Sequence, residues 1–167
     1  GLVAAALVFA HPALAGTVAT ATFIGPLPYL SAADNPFIAG SPGLCIETFE
    51  DDTLDPEGVS GNGSFVDPGG ITDSVDGDDG VIDGSGTGGH SYFSGNGSAG
   101  ITFMFDPQRT GGLPTEAGMA WTDGGGTVTF EAFDQNGASL GTNGPFAHPD
   151  GSVSGETAED RFYGVTY

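Results

Sequence analysis

Thr127-Val-Thr-Phe-Glu-Ala-Phe-Asp134 alternates apolar and polar residues, the period of a strand with one dry face and one wet one. Asp134-Gln135-Asn136-Gly137 then supplies a hairpin turn, and Ala138–Thr142 reads as the returning strand. Ile101–Asp106 repeats the alternation, and Leu44–Phe49, His90–Ser94, Ala117–Thr122 and Asp160–Tyr167 are further strand candidates. Val59–Val66, with Asn62-Gly63 in its middle, reads as a bulged strand or a small hairpin. No window sustains a helical period with caps, and the 31 glycines and 11 prolines fall between the strands without collagen or tandem periodicity. About eight strands joined by short turns define an all-β fold, expected as a jelly-roll-like β-sandwich of antiparallel sheets. A buried position for Phe103 would make Phe103→Ala cost about 3–5 kcal/mol.

The chain has 167 residues, enough for one domain with a real core. Its formal charge is −20, and Arg109 and Arg161 are its only Lys or Arg side chains. Such a surface repels phosphate, which excludes nucleic acid and anionic membranes as partners. Cations, neutral glycans and basic protein surfaces are the favourable counterparts. Acidic chains poor in aromatics are often disordered. Here 12 Phe, 4 Tyr and Trp121 sit in strand-like patterns, so a packed core is expected instead. Cys45 is the single cysteine; it cannot form an intrachain disulfide and is expected as a small buried hydrophobe.

Residues 2–15 form an apolar run ending in Ala13-Leu14-Ala15, the pattern of a secretory leader with an A-x-A cleavage site. The run is too short to span a bilayer as a helix. Residues 1–15 are therefore expected to be a signal peptide truncated at its start, and the protein to be secreted or at the cell surface. Residues 16–43, punctuated by Pro26, Pro28, Pro36 and Pro42, are expected as an irregular lead-in with a loop or helical turn at Tyr29–Asp34. Residues 44–167 form the sandwich, which is expected to be incomplete at its C-terminal end.

Catalytic templates fail on context. Gly137-Ala138-Ser139-Leu140-Gly141 matches G-x-S-x-G, but that elbow needs a strand before it and a helix after it. A hairpin turn precedes this one, and Thr142-Asn143-Gly144-Pro145 cannot start the helix. Beyond the leader only His90 and His148 remain, too few for a zinc or copper centre. A glycosidase needs two carboxylates across one cleft; Glu47, Glu116, Glu131 and Asp123 have the right chemistry, but spacing selects none of them. No catalytic residue is assigned. Trp121 with Asp123, together with Tyr92, forms a candidate sugar-contacting set, and the competing reading of Trp121 is sandwich core.

Calcium fits the acids best, because it takes six to eight oxygens from carboxylates, carbonyls and water. Two clusters qualify. Glu47, Glu50, Asp51 and Asp52 form one; the stretch from Asp73, through Asp76, Asp78, Asp79 and Asp83, forms the other. Neither follows the EF-hand or RTX pattern, and the competing reading is a solvated acidic face.

Glu47–Asp52 (ETFEDD), Ser74–Ser94, Ala117–Asp123 (AGMAWTD) and Thr157–Val165 (TAEDRFYGV) together resemble a group of secreted bacterial proteins, many carrying a PEP-CTERM anchor. The resemblance covers Leu44 to Val165. It implies an extracellular sandwich similar to carbohydrate-binding jelly rolls, with no catalytic residues to carry over. It also implies calcium ligands from the turn Phe49-Glu50-Asp51. The family continues with a further strand or two carrying an Asp-His pair, and with the anchor; neither occurs in this sequence. The expected function is a non-catalytic module that binds extracellular polysaccharide or takes part in a surface matrix, with Ca2+ bracing its acidic loops. A polysaccharide-acting hydrolase or lyase, or a structural surface protein without a ligand, is the alternative.

Overall fold

A computed structural model describes residues 2–10, 20–37, 43–69, 72–123, 126–148 and 155–167. Strands dominate, and the only helical pieces among the described residues are three short 3-10 turns. In chain order the strands are β1 (Leu2–Ala10), β2 (Thr22–Pro28), β3 (Cys45–Glu47), β4 (Val59–Gly61) and β5 (Ser64–Val66). They continue as β6 (Ser91–Ser94), β7 (Phe103–Phe105), β8 (Glu116–Trp121), β9 (Gly126–Phe133), β10 (Ser139–His148) and β11 (Arg161–Thr166). All pairings are antiparallel. The main sheet runs β2-β11-β8-β1-β6-β5, with β3 also paired to β1; β9–β10 and β4–β7 are separate two-stranded ribbons. The fold is all-β, as the alternations predict. No described helix is long and apolar enough to cross a membrane.

Side-chain alternation along β8 sorts the core into two faces. Ala117 packs into a cluster with Leu7, Phe49 and Tyr92, and Trp121 packs with Val128 and Tyr163. The ribbons cover this face: β4 and β7 bring Val59, Phe103 and Phe105, while β9 and β10 bring Val128, Phe130 and Phe146. On the opposite face Ala120 and Phe162 pack with Tyr29, Phe37 and Val75, which arrive on loops rather than strands. Gly118 and Gly164 leave a hollow in the sheet that the Phe162 ring fills; a Cβ on Gly118 would fall 2.4 Å from Phe162 Cζ, and one on Gly164 2.9 Å from Phe37 Cζ. Tyr29 stacks on that ring at 5.8 Å and Phe37 meets it edge-on at 5.5 Å.

Several segments depart from expectation, each for a physical reason. Leu2–Ala10, read as a leader, pairs as β1 between β8 on one side and β6 and β3 on the other. An unbroken apolar run suits a central strand as well as a signal sequence, so hydropathy alone cannot separate the two. Residues 16–43, expected as irregular, contain β2, and its prolines are tolerated because β2 pairs only with β11. Ala32–Asp34 is the expected helical turn, closed by a capping box between Ser31 and Asp34.

Val59–Val66 is not a hairpin. Its halves join different sheets, β4 pairing with β7 and β5 with β6. Asn62 makes the switch by accepting the Thr102 amide on Oδ1 at 2.9 Å, while Gly61 and Gly63 let the chain lie on the Tyr92 ring. Cys45 is exposed, not buried, because it starts β3 with its side chain turned outward. Phe103 is half-buried in β7, 6.3 Å from Phe49 and 5.2 Å from Tyr92. Phe103→Ala is therefore expected to cost only about 2 kcal/mol in urea denaturation, less than a fully enclosed ring; a loss as large as a core phenylalanine's would mean that β7 packs more deeply than this.

Candidate cation sites

The first acidic cluster folds around Glu47. Its Oε1 accepts the Phe49 amide and its Oε2 the Asp55 amide, both at 2.8 Å, so this buried carboxylate staples the loop across residues 47–55. Burial pushes the Glu47 carboxyl up, against the pull of those two amides. Phe49 and Asp52 hold left-handed backbones within the loop, at φ 68° and φ 60°. Asp51 accepts the Thr53 amide at 3.1 Å and the Thr53 hydroxyl at 2.8 Å. Asp52 meets His90 Nδ1 at 3.0 Å, and Asp67 meets its Nε2 at 3.3 Å.

The second cluster is similarly divided. Asp76 is buried and complete: it accepts the Asp83 amide, the Gly84 amide and the Thr157 hydroxyl, at 2.9, 2.9 and 3.0 Å. Burial works to raise its carboxyl, and these donors outweigh it, leaving Asp76 below its ordinary value. Asp79 caps the Val81 amide at 2.9 Å and Asp83 the Ser85 amide at 3.1 Å, both as local turns.

Glu50 and Asp78 bridge the two clusters. A Cβ placed on Gly89 would lie 3.0 Å from Glu50 Oε1 and 3.0 Å from Asp78 Cβ, so both acids border that glycine. Glu50 accepts the His90 amide at 2.6 Å. Asp78 Oδ2 is buried and accepts no hydrogen bond from the described residues. Burial first, then the charges of Glu50 and Asp79, pushes the Asp78 carboxyl up to about 8.

A further acidic centre closes one end of the main sheet. Register pairs Arg161 with Trp121, so Asp160, just before β11, lies beside Thr122 and Asp123, just after β8. Asp73 joins them from the segment ahead of β6: its carbonyl accepts the Ser91 hydroxyl and, at 3.4 Å, the Thr122 hydroxyl. Asp73 and Asp160 are 0 % exposed and Asp123 2 %. Burial, then the charges of Asp73, Glu159, Asp123 and Asp76, pushes the Asp160 carboxyl up to about 10. Of these residues, sequence reasoning placed Asp73 and Asp76 in a candidate calcium cluster and Asp123 in a sugar site, and it missed Asp160. As the side chains lie, no group of three His, Cys, Asp or Glu among the described residues has metal-holding geometry.

The expected sugar platform does not form. Trp121 and Tyr92 are 6 % and 4 % exposed, committed to the clusters around Val128 and Phe49, and neither presents an open face for a pyranose ring. Asp123 is buried beside them at the sheet end. Ser139 of the G-x-S-x-G match opens β10, and its hydroxyl donates to Glu131 at 2.7 Å across the hairpin, so it has no elbow geometry. A cleft of about 380 Å³ lies beside β11, lined by Pro26, His148, Glu156, Glu159, Arg161 and Tyr163. Comparison with family models, with curated proteins and with solved structures finds no match.

Proposed function

We propose that this chain is a non-catalytic, exported β-sandwich module of jelly-roll type that binds extracellular polysaccharide or joins a surface matrix, with calcium bracing its acidic loops. The carrying observation is that Glu50 and Asp78, from two separate acidic segments, border the same glycine, with Asp78 Oδ2 buried and unbonded among the described residues. A hard divalent cation supplies the charge that two such carboxylates lack. The net charge of −20 and the leader-like residues 2–15 support an exported, cation-rich setting. Cleavage after Ala15 would remove β1, so N-terminal sequencing of the exported protein decides whether Leu2–Ala10 serves as leader or as strand.

Calcium in excess is expected to raise the melting midpoint, and EGTA to reverse the rise; about 2.7 kcal/mol is gained at one hundred times Kd. A midpoint indifferent to both would reduce the loop acids to solvated surface. Saturable binding on a polysaccharide array supports the glycan role, and its absence leaves a structural one. The cleft with Glu156 and Glu159 favours a second reading, a polysaccharide-acting enzyme, because it sets two carboxylates around one opening. Release of reducing ends or unsaturated products in the same incubations would establish that reading and remove the non-catalytic one.

A further inference from the structure

Asp76 and Asp160 are both fully buried aspartates, and they differ in one respect that matters. Asp76 has three donors on its two oxygens. Neither oxygen of Asp160 accepts a hydrogen bond from any described residue. A buried carboxylate in that state costs several kcal/mol unless it is protonated or meets a cation. The adjacent guanidinium does not fill the role, since Arg161 Nη1 donates to the carbonyls of Ala158 and Asp160 at 2.9 and 2.7 Å. The charges that act on the Asp160 carboxyl are those of further acids: Asp73 and Asp123, buried with it, Asp76, and Glu159, which precedes it in the chain.

We propose that Asp160, with Asp123 and Asp73, forms a calcium site at the end of the main sheet, distinct from the loop acids Glu50 and Asp78. The donors are all carboxylate oxygens, the chemistry of a hard cation rather than of zinc or copper. The fold prepares the site from three segments far apart in sequence. Pairing of β8 with β11 brings Asp123 beside Asp160, and the hydroxyls of Ser91 and Thr122 anchor Asp73 by its carbonyl. The ion draws Asp123 and Asp73 onto Asp160 as it binds, since the three do not hold ligand geometry beforehand. Binding therefore locks the exit of β8, the entry of β11 and the lead into β6 to one another. The inference rests on the sheet end alone and does not depend on the loop site or on a glycan.

Trp121, the only tryptophan, stands two residues before Asp123 and reports on this site. Terbium titrated into the metal-free full chain is expected to give saturable luminescence excited through Trp121, displaced by calcium. D160N and D123N are each expected to weaken terbium at least ~10-fold, equivalent to about 1.4 kcal/mol. E50Q with D78N is expected to leave the Trp121-excited signal within about twofold. D160N also keeps the test readable if folding is in question: an isosteric neutral amide should melt no lower than the metal-free parent, and its calcium-induced rise should shrink to the part that Glu50 and Asp78 supply. Absence of Trp121-excited luminescence, or wild-type affinity in D160N, overturns the proposal. Loss of the signal in E50Q with D78N, with D160N unaffected, overturns it too while leaving the loop-brace reading intact.

Discussion

Phe162→Ala is expected to lower the unfolding free energy by about 3–5 kcal/mol, among the largest effects of any single truncation in this chain. The ring is 0 % exposed and sits in a hollow made by Gly118 and Gly164 of the sheet. Tyr29 stacks on it and Phe37 meets its edge, so two loop segments lose their anchor along with the ring. The cost lies at the upper end because the floor of the hollow is hydrogen-bonded sheet backbone, which cannot collapse into the cavity. Urea denaturation followed by Trp121 fluorescence measures it: the midpoint should fall with an unchanged m-value. A loss below about 1 kcal/mol would show that the ring does not occupy the hollow. Phe103, half-buried under a ribbon, is the internal comparison and should lose clearly less.

The elements legible in the sequence are those where alternation and turn chemistry agree. β8, β9 and β11 fall within a residue or so of their expected limits, and Asp134–Gly137 makes the expected turn, with Asp134 accepting the Asn136 and Ala138 amides at 2.8 Å each. β1 was not legible as a strand, because a uniformly apolar run has no period to read. β2 was hidden by Pro26 and Pro28, which are compatible with a strand only at a sheet edge, and edge position is a property of the whole topology.

The acids show the same limit. Local density pointed to residues 47–52 and 73–83, yet Glu47 and Asp76 are used up as backbone staples. Asp123 stands in a stretch with little local charge and Asp160 in a separate one beside Glu159 and Arg161, and the two meet only through the register of β8 on β11. Spacing along a chain reports local turns well. It carries no record of which strand ends become neighbours.

Gly118→Ala is the second large effect, expected to cost about 2–3 kcal/mol through overpacking rather than a cavity. No backbone strain is involved, because Gly118 does not hold a left-handed conformation; the argument is space alone. The added Cβ would fall 2.4 Å from Phe162 Cζ and 2.7 Å from the Tyr163 carbonyl oxygen. The ring contact can be relieved by moving a side chain, whereas the carbonyl belongs to the β8–β11 ladder and cannot give without breaking pairing. A double-mutant cycle separates the two. In the Phe162→Ala background the ring clash is gone and only the carbonyl contact remains, so Gly118→Ala should cost less than in the parent by about 0.5–1 kcal/mol, the coupling between the sites. Strict additivity in the same urea measurements would mean that ring and glycine do not touch, and the hollow on this face of the sheet would have to be redrawn.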